Sequence, residues 1–350
     1  MVYAVLIEAN QYLSWRWILV CCSGRKSYAK WHLMQSRHFR DFDAFSSAVR
    51  DVDAVMMLQN PARRLWTIDQ VNIAGIDVQL GQVGSGNLIE GQSWQNGTLI
   101  YLPLSPRVAF RANGIALDKN ELMVLEPGCE FCLSTKSSHD WCSIFIPKEN
   151  LAPDGAPLTP TYAHMSSEVP RCRVARANGQ VASRLYSIVR EVLIASAHSA
   201  RFEYSPAAKA AAVELASLAS LALGQTQTAD PKRLGRPVMP RSKIVQSCRE
   251  LFEARTDQPT SVGELAAKAG ASERTLRQAF YDYFGIGPAR YLQLRQLNQI
   301  HWALRIADPE ATQVRDVLAQ HGIWEFGRFA SRYRRLFGEL PSQTLRAKLH

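Results

Sequence analysis

The chain of 350 residues is poor in the features that mark several common protein classes. Its seven cysteines are odd in number and scattered, which excludes the paired framework of a small secreted domain. No apolar run approaches the roughly 20 residues that cross a bilayer. The longest near the start, residues 17–22, is far shorter. That start also lacks a basic lead and a small-x-small cleavage signature, so no secretory signal or membrane partner is expected, and the expected location is the cytoplasm. Catalytic fingerprints are missing too. There is no nucleophile elbow, P-loop or dinucleotide motif, and Gly84-Ser85-Gly86 reads as a turn. His32, His38, His139, His164 and His198 are unpaired in sequence, whereas a cupin-type metal barrel needs a His-x-His pair. No enzyme activity, cofactor or metal is expected.

Acidic residues are outnumbered. Lys and Arg total 41 against 31 Asp and Glu, a net +10 that favours a polyanionic partner, nucleic acid first. The 47% apolar content is enough to fill cores and excludes wholesale disorder. The length suggests two domains.

Residues 1–33 hold Trp15, Trp17, Cys21, Cys22 and Trp31 with no sustained period, and a second methionine, Met34, precedes regular text. They read as an irregular arm or as translation upstream of the native start. Over 39–58, Phe42, Phe45, Val49, Val52 and Val55 recur at helical spacing and predict one leading helix. From 65 to 147, short apolar runs alternate with Gly, Asn, Asp and Pro: 65–80, 98–104, 108–111, 122–125, 131–135 and 141–146. Such punctuation predicts an antiparallel β-sandwich or barrel. Residues 180–198 and 207–223 read as helices. The second is apolar over more than one face and must be buried in its own domain or against a second copy, which makes it the candidate homodimer contact. Residues 225–240, with three prolines and little apolar content, read as a linker. The fold class expected is α+β: a β-rich sensory and dimerisation domain over 34–224, then an all-α domain over 241–346.

Basic charge is densest in that last part, with 17 Lys and Arg against 11 Asp and Glu over 241–350. Leu276, Phe280, Phe284, Gly285 and Pro288 recur 53 positions later as Phe329, Tyr333, Phe337, Gly338 and Pro341. Val262, Leu265, Ala266 and Gly270 recur 52 positions later as Val314, Val317, Leu318 and Gly322. A repeat with one inserted residue predicts two copies of one unit. Each copy, 261–284 and 314–337, has the grammar of a helix-turn-helix: a capped helix, a glycine turn, then a second helix. In the first copy Leu276, Ala279 and Phe280 face inward, with Tyr283 or Phe284, while Arg274, Arg277, Gln278 and Tyr281 form the opposite stripe. In the second, Phe326, Phe329, Ala330, Tyr333, Leu336 and Phe337 face inward, and Arg328, Ser331, Arg332 and Arg335 point away. A polar, positive stripe on a pinned helix suits the major groove, where Arg grips guanine and Gln grips adenine. Pro288 begins a connecting rod whose inward positions include Tyr291, Leu294, Leu297, Ile300 and Leu304.

The text Leu265-Ala266-x3-Gly270-x-Ser272-x3-Leu276-x3-Phe280-x3-Phe284-Gly285-x2-Pro288 resembles the DNA-binding domain of AraC/XylS-family transcription regulators. So does Gly322-x6-Phe329-x3-Tyr333-x3-Phe337-Gly338-x2-Pro341. Within the family, Gly322-Ile323-Trp324-x2-Gly327-Arg328-Phe329 is similar to a subgroup that includes ethanolamine-operon regulators. The resemblance implies seven helices holding two helix-turn-helix units joined by a linker helix, with double-stranded DNA as partner. It implies base reading by Arg274, Arg277 and Gln278 in the first unit and by Gly327, Arg328 and Ser331 in the second. It further implies a small-molecule effector for the N-terminal domain, and activation through RNA polymerase. One departure stands out: Trp324-Glu325 replaces the Ser or Asp cap, and Glu325 would repel a nearby phosphate. The first unit is thus expected to set sequence preference, and the second to hold the backbone through Arg332 and Arg335. The alternatives are an effector-independent dimeric regulator and, less favoured, a barrel enzyme fused to a DNA-binding tail.

Two further groups stay open. Cys129-x2-Cys132 would need a turn for its thiols to converge on a metal or act in redox chemistry, and buried structural cysteines are the default. Trp66, Trp94, Tyr101, Phe110, Phe131 and Trp141 either line a pocket or fill a core.

Overall fold

The computed structural model describes residues 37–105, 108–117, 121–150, 172–176, 179–199, 201–224, 241–254 and 260–347. The arm at 1–33, the alternative start at Met34 and the linker at 225–240 lie outside the described residues.

After β1 (Arg37–Phe39), Asp41 caps α1 (Phe42–Ala48) by accepting from the Asp43 amide at 2.9 Å. The helix is shorter than its hydrophobic spacing predicts. It buries Phe42 and Phe45 and ends at Ala48, while Val52 and Val55 belong to β2 (Val52–Ile73). Asp51, in the left-handed region at φ 69°, turns the chain between them, and pairing with β3 (Ile76–Ser93) claims the rest. Ala74 and Gly75, both at positive φ, close the β2–β3 hairpin as a two-residue turn. That turn splits the apolar run at 65–80 into two strands.

β3 is the spine of the sheet. One edge pairs with β2; the other passes from β9 (His139–Pro147) to β8 (Glu130–Thr135). Beyond β9 lie β4 (Gly97–Pro103), β7 (Glu121–Leu125) and β10 (Cys172–Arg176). Beyond β8 lie β5 (Phe110–Ala112) and β6 (Ile115–Leu117). The result is a nearly closed antiparallel barrel, as the strand punctuation predicts.

Helices α2 (Gly179–His198) and α3 (Pro206–Gly224) cover one outer face, packing on Val71, Ile73, Val78, Ile100, Ile144 and neighbours. The apolar excess of α3 is largely used within its own domain: Ala208, Ala212, Leu215, Ala219 and Ala222 are buried, and among its described side chains Val213 and Leu221 stand out as exposed large apolar residues.

The C-terminal helices are α4 (Arg241–Ala254), α5 (Val262–Lys268), α6 (Glu273–Phe284), α7 (Pro288–Ile306), α8 (Val314–Gln320), α9 (Phe326–Phe337) and α10 (Pro341–Arg346). They sit against the barrel wall formed by β2, β3, β5 and β8, and one continuous apolar core runs from the barrel interior into the helices. Polar contacts reinforce the seam. The Ser134 hydroxyl donates to the Phe284 carbonyl (2.7 Å), Arg111 to the Asp282 carbonyl (3.1 Å), and Tyr291 to Glu90 (2.9 and 3.1 Å). The Asn298 side chain exchanges bonds with the Leu58 backbone, and Arg305 pairs with Asp41.

Candidate nucleic-acid interface

The first unit is built by local chemistry. Ser261 and Glu264 form a reciprocal capping box at the start of α5: the Glu264 amide donates to Ser261 Oγ (3.2 Å) and the Ser261 amide to the Glu264 carboxylate (2.7 Å). Gly270, at φ 60°, makes the turn that a side chain would strain. Ser272 caps α6, accepting from the Thr275 amide (3.2 Å). Leu276, Ala279, Phe280 and Phe284 pin α6 to the core, and Tyr291 packs against the Phe280 and Phe284 rings. Arg274, Arg277, Gln278 and Tyr281 are exposed on the opposite side, as their spacing predicts.

The second unit repeats this plan with a different entry. Gly322, at φ 72°, makes the turn, but Glu325 stands at the N-cap of α9 with no side-chain cap hydrogen bond. Phe329, Tyr333 and Leu336 are buried, while Arg328, Ser331, Arg332 and Arg335 are exposed. Phe326 departs from its expected inward position. It is 42% exposed, because it opens the helix before α9 has turned onto the core. Between the units, α7 is a rod of 19 residues, about 28 Å long. It buries Tyr291, Leu294, Leu297, Ile300 and Leu304.

Several exposed groups are held by neighbours on their own helix. Arg277 pairs with Glu273 (2.8 Å), Gln278 donates to Asp282 (3.0 Å), Arg328 pairs with Glu325 (3.2 Å), and the Ser331 hydroxyl donates to the Gly327 carbonyl (3.1 Å). Exposed pairs of this kind are worth about 0–1 kcal/mol, so a phosphate or base edge can displace them. Repeat matching also missed part of the positive edge. Arg334 is exposed beside Arg335, and Arg290, near the start of α7, has its pKa lowered by partial burial and then by the charge of Arg335. The repeat puts Gln343 in the place of Arg290, so it gave no signal there.

The other sequence candidates fall in the barrel. Cys129 and Cys132 are buried; desolvation pushes the Cys129 thiol up to about 11 and the Cys132 thiol well above its usual range, which keeps both protonated and unreactive. Trp66, Tyr101, Phe110, Phe131 and Trp141 are buried, and Tyr101, Phe131 and Trp141 line a partly open pocket of the barrel whose lining also includes the exposed Arg50. Trp94 is 44% exposed.

Two helix pairs joined by one rod, each presenting a basic outer stripe, define a tandem helix-turn-helix domain. Residues 265–347 match the family described as Helix-turn-helix domain. The chain is 32% identical over 111 residues to the "Probable thc operon regulatory protein" of Rhodococcus erythropolis. It is 37% identical over 101 residues to the "XylDLEGF operon transcriptional activator 3" of Pseudomonas putida. These stretches take in 32% and 28% of this chain, and 33% and 30% of the two relatives, so the chain spans about a third of each. Among solved structures, the AraC-like transcriptional activator CuxR is 12% identical with a TM-score of 0.41, covering 76% of this chain and 94% of that one. The C-terminal domain is of the AraC/XylS type.

Proposed function

We propose that the protein is a sequence-specific DNA-binding transcription regulator whose barrel domain senses an effector and whose C-terminal domain reads an operator. The observation that carries this reading is the repeated basic stripe, exposed on two recognition helices that one buried rod holds at a fixed separation. Arg274, Arg277 and Gln278 enter one major-groove segment, with Tyr281 beside them. Glu325 and the uncapped entry of α9 weaken base reading by Arg328 and Ser331, so the second unit grips phosphates through Arg332 and Arg335. The domains divide as 34–224, a linker at 225–240, and 241–346. The exposure of Val213 and Leu221 on α3 supports this helix as the proposed contact to a second copy, and pairing two domains would raise avidity for paired half-sites. Activation is suggested by the resemblance and by the name of the Pseudomonas putida relative, and contact with RNA polymerase by the resemblance alone. The protein acts on DNA in the cytoplasm and carries out no catalysis of its own. Among the described residues no helix is long and apolar enough to cross a membrane.

Footprinting of the full chain on native promoters at modest ionic strength tests the reading: a protected operator is expected, and none at all would end it. On that operator, Arg277→Ala is expected to cost about 1–3 kcal/mol and to relax preference at one base pair. Arg335→Ala is expected to weaken all sequences alike and to reduce the salt slope by roughly one.

A further inference from the structure

The 53-residue displacement sets the two recognition helices side by side, and at their entries they differ. Ala271, Ser272, Glu273 and Arg274 of the first unit correspond to Trp324, Glu325, Phe326 and Gly327 of the second. Ala271 is half-buried against the core, and Glu273 is an exposed acid paired with Arg277. Their counterparts are aromatic and stand in solvent: Trp324 is 74% exposed and Phe326 42%. Phe329, Tyr333 and Leu336 supply the buried face of α9 without either ring. Packing inside the unit therefore does not account for them.

Gly327 raises the same question from the opposite side. A glycine inside a helix destabilises it relative to alanine. Gly327 lies in the first turn of α9, exposed, and a Cβ placed on it would meet nothing within 4 Å among the described residues. No neighbour in the fold asks for its bareness, which leaves something that approaches from outside. The bare position and the two rings share the N-terminal end of a recognition helix, the end that meets base edges in a major groove. Arg328, Arg332 and Arg335 are exposed on the same helix, so the visitor is a polyanion. Glu325, the acid at this end, is held by Arg328 at 3.2 Å.

We infer that Trp324 is a specificity-determining residue of the second unit: its ring packs on the 5-methyl group of a thymine in the major groove, and Gly327 leaves the helix backbone bare so that this base pair can come close. Phe326 extends the apolar edge. The inference rests on the DNA-binding reading above and gives the second unit a sequence preference that needs no hydrogen bond. In the major groove thymine offers a methyl group where cytosine offers none, so an apolar ring tells the two apart by contact alone.

Binding of the full chain to its footprinted operator, with each thymine exchanged in turn for deoxyuridine, tests this, because the exchange removes the methyl group and nothing else. At one thymine or more the exchange is expected to lower affinity about fourfold, the worth of one buried methyl-sized group. Trp324→Ala is expected to bind the unmodified operator more weakly and to make that exchange silent. Gly327→Ala is expected to unfold no sooner than the native protein on heating, yet to bind the operator at least threefold more weakly. No exchange costing twofold, or the same pattern of costs in Trp324→Ala, would overturn the methyl contact. Native affinity in Gly327→Ala would overturn the close approach. Native affinity in Trp324→Ala together with lost promoter output would give the ring to a protein partner instead, and also overturn the inference. Through all of these the native protein's footprint on the unmodified operator keeps the regulator reading standing, and thermal unfolding at the native temperature shows that the variants are folded.

Discussion

At the scale of single residues, Asp51 shows what a buried carboxylate does to stability. It is fully buried at a left-handed position, with Gln79 Nε2 donating to one oxygen (3.1 Å) and the other oxygen without a hydrogen-bond partner among the described residues. Burial, and then the charge of Asp77, raise its pKa from 3.8 to about 7. The fold thus holds this proton more tightly than the unfolded chain does, and stability drains away as pH climbs from about 4 to about 7. Asp51→Asn keeps a side chain that tolerates the left-handed region and removes the ionisation. Its stabilisation relative to the native protein is expected to be near zero at pH 4, to grow through pH 7, and to level off at up to about 4 kcal/mol. Denaturant titrations at pH 4, 6 and 8 check this; a gain independent of pH would contradict it.

Among the elements, the recognition helices were the most legible in the sequence. The caps of the first unit and the turn glycines and inward stripes of both act within a dozen residues, so each leaves a local signal, and duplication writes the glycine and the stripe twice. Phe326 broke that reading because a stripe extrapolated to the first helical residue overlooks where the helix begins to face the core. The leading helix broke it too, since the spacing of Phe42, Phe45, Val49, Val52 and Val55 continues across Asp51, where the backbone leaves the helix. Caps make the two units unequal. Ser272→Ala removes a bond that starts α6 and is expected to lower stability by about 1 kcal/mol. Glu325→Ala removes no cap bond from α9 and is expected to leave stability within about 0.5 kcal/mol. Chemical denaturation of the two variants side by side gives the comparison.

Across the whole molecule, the seam between barrel and helices was illegible. The contacts that make it join residues far apart in the chain, Leu58 with Asn298 and Glu90 with Tyr291 among them. Such pairs impose no spacing on either segment, and Glu90 falls outside the apolar runs that the sequence marks as strands. The inward positions of the rod were legible as apolar, but not the second duty they share. Tyr291, Asn298, His301 and Arg305 form a lengthwise stripe on α7, and all four meet the barrel domain; His301 comes within 3.0 Å of Asp43 and bonds Tyr333 of α9 at 2.6 Å.

On the proposed reading, one shaft thus serves two masters, spacing the readers and carrying the sensor's weight. On the proposed effector-regulated reading, mutants selected for response without inducer are expected to gather along this line of α7 and its Glu90, Leu58 and Asp43 counterparts, at the seam between barrel and helices. Deep mutational scanning against a reporter promoter would map them, and an even scatter over the fold would mean that the shaft transmits nothing.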